Sequence, residues 1–100
     1  MARPYSSEFL TTLNTLNPDN LGVQLAKLCV KANLPTLYIA RKLGVSRYTV
    51  HSWFRGQYIR KINKIKVEAF IKEIDKGFNE NKLPVLNLSF AKQYLDSVEI

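Results

Sequence analysis

The sequence predicts an all-α fold, a small domain of five to six helices, and three observations carry that prediction. Apolar residues recur at three- and four-residue intervals along successive stretches, the period of a helix with one buried face. No two neighbouring stretches alternate apolar and polar residues as a strand pair does. Between the stretches stand Asn-Pro, Leu-Pro and single Gly residues, which start or end helices. With 46% of its 100 residues apolar and 23% charged, the chain reads as one globular domain, residues 1–100, with a modest core.

The elements follow in order. Ser6 or Ser7 caps a first helix over residues 6–17, with Phe9, Leu10, Leu13 and Leu16 as its stripe. Asn17-Pro18 stops it and supplies a cap and first-turn proline for a second helix. That helix places Leu21, Leu25, Leu28, Cys29 and Ala32 on one face, up to the interruption at Asn33-Leu34-Pro35. A short helix from Thr36 to Leu43 ends at Gly44; Ser46 caps the next, Arg47 to Phe54, and Gly56 closes it. Gln57 to Ile62 is a basic connection. Asn63 then caps a longer helix whose stripe is Val67, Phe70, Ile71, Ile74 and Phe78, ending near Gly77. The last segment, residues 83–98, fits a helix through Leu88, Ala91, Tyr94, Leu95 and Val98. Residues 84–88 are taken into that helix, although they also suit a short strand.

Charge is segregated along the chain. The net charge is +7, yet residues 20–67 hold ten Lys or Arg (Lys27, Lys31, Arg41, Lys42, Arg47, Arg55, Arg60, Lys61, Lys64, Lys66) and no acid. A surface evolved for solubility interleaves the signs; a one-signed surface implies an anionic partner, nucleic acid above all. One Cys and one His exclude an internal disulfide and a zinc-finger type of site, so no metal and no cofactor is expected. The lone His and the scattered acids offer no catalytic constellation, so the chain is not expected to be an enzyme, and no small-molecule ligand is implied. Cys29 sits on an apolar stripe and reads as a core residue. The N-terminus lacks the apolar core of a signal peptide and no run reaches the roughly 18 apolar residues of a membrane span. A cytoplasmic protein with no membrane partner is therefore expected.

Residues 36–55 have the local logic of a helix-turn-helix. Ala40 is the small residue where two helices meet, and Gly44 can take the left-handed conformation the turn requires. Ile39, Leu43, Val45, Val50 and Trp53 pin both helices to a core. Arg47, Tyr48, His51 and Ser52 then face away from it.

From Leu34 through Gly56, the apolar residue, Ala, Gly-Val-Ser, apolar residue, Trp and terminal Arg-Gly resemble the helix-turn-helix of the lambda Cro and phage repressor family. A looser likeness extends over residues 21–78 and leaves the first helix and the last segment outside. The resemblance implies a sequence-specific regulator of transcription, phage or bacterial, that puts its second motif helix into the major groove of double-stranded DNA. It assigns base reading to Arg47, Tyr48, His51 and Ser52. It places Thr36 at a phosphate-binding position; Arg41, Thr49, Arg55, Gln57, Tyr58, Arg60 and Lys61 are read as further phosphate contacts from their place on and after the motif helices, with Lys42, Lys64 and Lys66 as lesser candidates. It implies a homodimer, or one that forms only on DNA, through the terminal helices. The apolar residues Phe70, Phe78, Leu86, Leu88, Phe90, Tyr94 and Leu95 read mainly as core, with part of them free for such a dimer face. Two other readings stand beside this one: an architectural or recombination accessory protein that bends DNA, and a module that binds a host protein.

Overall fold

The chain folds around its second helix, which is buried on more than one side. In the computed structural model, which describes residues 5–99, six helices follow one another: α1 Ser7–Leu13, α2 Leu21–Ala32, α3 Thr36–Leu43, α4 Arg47–Phe54, α5 Lys61–Asn79 and α6 Leu88–Ser97. The described residues contain no strand. The all-α expectation holds, and α3 and α4 have the bounds expected of them. α1, α4 and α5 pack against α2, and α3 packs against α4 and α6. This is why Val23, Leu25, Ala26, Cys29 and Ala32 of α2 are all buried, a wider face than the expected stripe, on which Leu21 and Leu28 are only half-buried. Burial pushes the Cys29 thiol far above its ordinary value, so it behaves as a small core side chain.

Four local expectations are corrected. α1 ends at Leu13 rather than at residue 17. Its hydroxyls turn back on its own carbonyls, Thr11 to Ser7 and Thr12 to Glu8, and only Leu13 is buried along its length. The cap of α2 is Asn20, whose Oδ1 accepts the amide of Val23 at 3.2 Å, because Asn17 spends its side chain on the amide of Asp19. α5 starts at Lys61, ahead of Asn63, and runs through Gly77 to Asn79. Gly77 makes room instead of ending the helix: a Cβ there would lie 2.7 Å from Tyr94 Oη and 2.8 Å from Leu83 Cδ1. Residues 84–87 are neither helix nor strand. They are tied to the end of α2, where the Val85 amide donates to Ala32 O at 3.1 Å and Asn33 Nδ2 donates to Val85 O at 3.0 Å. Asn87 then caps α6 through the amide of Phe90.

The packing of α4 is tighter than its sequence suggests. Besides Val50 and Trp53 it buries Phe54 completely, and the Phe54 ring meets Phe9 of α1 at 6.1 Å and Tyr5 at 6.3 Å between centroids. α1 therefore serves as a lid on the end of α4. Gly22 of α2 faces the same end, and a Cβ built on it would stand 2.1 Å from the Trp53 carbonyl oxygen. Only a glycine lets the two backbones approach this closely. Gly22→Ala is expected to destabilise the domain by about 2 kcal/mol or more, the cost of overpacking exceeding the gain in helix propensity. Urea denaturation checks it, and an unchanged or higher midpoint contradicts it.

Candidate nucleic-acid interface

The turn between α3 and α4 is built from Gly44, Val45 and Ser46. Gly44 takes φ 70°, the left-handed conformation, and donates its amide to the carbonyl of Arg41. Val45 is half-buried against the core, and Ser46 Oγ accepts the amide of Thr49 at 3.0 Å, which starts α4. At the other end Gly56, with φ 88°, is held by Asn20, whose Nδ2 donates to its carbonyl at 3.1 Å. One side chain thus caps α2 and fixes the exit of α4. Ile39, Ala40, Leu43, Val50 and Trp53 are all buried, as the pins of the motif should be.

With that inner face buried, the outer face of α4 is free. Arg47 and Tyr48 are exposed, Tyr48 to 74%, and His51 and Ser52 are half-exposed. Thr36, the first residue of α3, comes to this face: its Oγ1 lies 3.4 Å from His51 Nε2. The cap position before it is Pro35, which offers no side-chain hydrogen bond to the first amides of α3. The two helices therefore present a polar face and an uncapped helix start side by side. Thr49 is half-buried and shares a hydrogen bond of 2.8 Å with Ser46 Oγ, so its hydroxyl is already engaged. Beside α4 runs a groove of about 490 Å³, lined among others by Ser46, Tyr48, Thr49, Ser52, Tyr58, Arg60 and Asn63. Tyr58 stands 82% exposed on its rim.

The cations divide into two sets. Lys42 Nζ bonds to the carbonyl of Val98, and Lys66 Nζ reaches the Leu43 carbonyl at the end of α3, at 3.4 Å. Lys31 sits 4.9 Å above the Phe78 ring, and the Arg41 guanidinium 5.9 Å from that of Tyr38. These four have contacts within the fold. Lys27, Arg47, Arg55, Arg60, Lys61 and Lys64 are exposed, as is Gln57. Among the described residues the single ion pair is Lys82 with Glu80 at 3.2 Å, outside this region. A set of exposed cations without carboxylate partners attracts a polyanion.

Phe54 and Gly22 position the face without standing out in the motif. Phe54 lies four residues after Val50 and so belongs to the same helical face; its place at the end of the pattern hid it. Gly22 had a signal, since a glycine inside a helix costs about 1 kcal/mol against alanine and so marks a close approach. Asn63, read as a cap, lines the groove instead. The expected core role of Leu86, Leu88 and Phe90 is corrected: they are 66%, 58% and 47% exposed, Leu88 and Phe90 because α6 buries its opposite face through Ala91, Tyr94 and Leu95, and Leu86 because it lies in the segment before that helix.

Comparison with protein-family models, with curated proteins and with solved structures finds no match to this chain. No helix among the described residues is long and apolar enough to cross a membrane.

His51 reports on the electrostatics of the face. Partial burial lowers its affinity for a proton, and the neighbouring Arg47 and Arg55 lower it further below the usual value of 6.5. Because the unfolded chain takes up this proton first, the contribution of His51 to stability is whole above 6.5. It declines as the pH falls through 6.5 towards the folded midpoint. An NMR titration of the imidazole should give a midpoint below 6.5 that rises in Arg47→Ala. A midpoint at or above 6.5, unmoved by the substitution, contradicts the proximity of these charges.

Proposed function

We propose that this chain is a non-enzymatic, sequence-specific binder of double-stranded DNA that regulates transcription, cytoplasmic and of the lambda Cro and phage repressor type. The observation that carries the reading is the outer face of α4, where Arg47, Tyr48, His51 and Ser52 stand clear of a helix whose inner face is locked in place. A single α-helix fits the major groove of B-DNA, where each base pair has its own pattern of donors and acceptors. Arg47 bonds guanine O6 and N7 through its planar guanidinium. His51 and Ser52 bond base edges, and Tyr48 meets a thymine methyl or a phosphate. The uncapped start of α3, with Thr36, lies against the phosphate backbone. Arg55, Gln57, Tyr58, Arg60 and Lys61 grip the flanking strand without reading it.

Two copies bind a two-fold site. Half-sites one helical turn apart have centres about 34 Å from each other, and the molecule measures 31 × 29 × 24 Å along its principal axes. Neighbouring copies are then near enough to touch. The exposed Leu86, Leu88 and Phe90 supply an apolar face for a contact of that kind. Its modest extent suits a dimer formed on DNA better than one stable alone.

Selection from a random duplex pool at about 50–100 mM salt tests the reading. A single motif should be enriched, and Arg47→Ala should relax one base position by about 1–3 kcal/mol. Enrichment of no motif, or of the same motif by the Arg47→Ala/His51→Ala double variant, rejects it. Lys61→Gln should instead weaken all sequences alike and lower the slope of log affinity against log salt by about 1. A change confined to one sequence would contradict its role as a phosphate grip.

A further inference from the structure

The first turns of α5 carry two isoleucines where a solvated helix face carries polar residues. Ile62 is 70% exposed and Ile65 66%. Three positions apart on a helix, they share one face, and both are stiff, β-branched side chains. Arg60, Lys61, Lys64 and Lys66 flank them, all exposed, and none pairs with a carboxylate among the described residues. Arg60 and Asn63, close to Ile62 in sequence, line the groove beside α4, so the start of α5 lies near the outer face of that helix.

Whatever covers this patch has to be anionic at its rim and apolar within. A second copy meeting it face to face would set these cations against their own counterparts, which repels. A duplex minor groove has phosphates on both rims and apolar sugar and base surfaces between them, and isoleucine is among the side chains that wedge into its base steps. The position next to the reading helix favours DNA already bound by α4 over a separate partner.

We propose that Ile62 and Ile65 form an apolar wedge that enters the minor groove beside the site read by α4, parts a base step there and bends the duplex. Lys61 and Lys64 hold the phosphates on the rims of that groove. The inference rests on the DNA-binding reading and adds a deformation to it. Flexible pyrimidine–purine steps at the wedge position are preferred, giving sequence preference at base pairs that no polar side chain touches.

The test compares the wild-type chain with Ile62→Ala/Ile65→Ala on a duplex selected by the wild type. Energy transfer between dyes on the two duplex ends measures the bend. Both substitutions are on the surface of a helix, so thermal melting should change little. The wild type should bend the site by about 20–90°. The double variant should lose most of the bend and about 10- to 100-fold in affinity, with the base positions read by α4 unchanged. A specific but unbent complex, or a bend intact in the variant, overturns the wedge and leaves the DNA reading standing. Loss of DNA-free self-association on sedimentation, or of binding to phosphatidylserine vesicles, with the bend intact in the variant, also overturns it and assigns the patch to that partner. Failure to select any duplex overturns the DNA reading, and the wedge with it.

Discussion

The approach of the α2 backbone to the end of α4, with Gly22 against the Trp53 carbonyl, is the constraint on which the rest of the structure depends. It sets how deep α4 lies, and the depth decides which of its residues are buried. Val50, Trp53 and Phe54 go inward together, Asn20 fastens the exit at Gly56, and Tyr5 and Phe9 close over Phe54. The outward face is thereby held on a rigid support rather than on a loop. Recognition of base edges needs that, since a side chain placed about 0.5 Å out of position loses much of its directional bonding.

Electrostatics acts on the same frame in two ways. Some cations serve the fold: Lys42 on the carbonyl of Val98 and Lys66 on that of Leu43 tie α3 to the chain end after α6 and to α5. Five others, from Arg47 to Lys64, lie exposed on and after α4 with no carboxylate partner among the described residues. They give the molecule a long-range, sequence-blind attraction for a polyanion, screened by salt over about 10 Å. In the proposed DNA-binding role, the short-range chemistry of Arg47, His51 and Ser52 would add selectivity within it. The one titratable group there in the physiological range, His51, is held towards its neutral form by burial and by Arg47 and Arg55. It can then accept as well as donate at a base edge.

How much of this was legible in the sequence follows from where each feature is encoded. The bounds of α3 and α4 are written locally, in Pro35, Gly44, Ser46 and Gly56, so the turn and the outward quartet could be read directly. The course of residues 84–87 depends on partners distant in sequence, Ala32 and Asn33 for Val85, whereas the end of α1 and the cap of α2 turn on which of several neighbouring Ser, Thr and Asn side chains takes each local hydrogen bond. Gly77 misled because a glycine that makes room for Tyr94 looks the same in sequence as one that stops a helix. The candidate site divides in the same way. Its outward quartet follows from the pins behind it, whereas the meeting of Thr36 with His51 and the outward turn of Ile62 and Ile65 follow from how α3 is set against α4 and α5 against α2, which only the packed core determines.

Whether α4 reads base edges in the major groove, as proposed, can be decided by methylation footprinting on a selected site. Dimethyl sulfate attacks guanine N7 in the major groove and adenine N3 in the minor groove, so one experiment distinguishes the two. The wild-type chain should protect at least one guanine N7, and Arg47→Ala should restore its reactivity while binding to flanking phosphates persists. Unprotected guanine N7 throughout the site, or protection unaltered by Arg47→Ala, would contradict major-groove reading by α4.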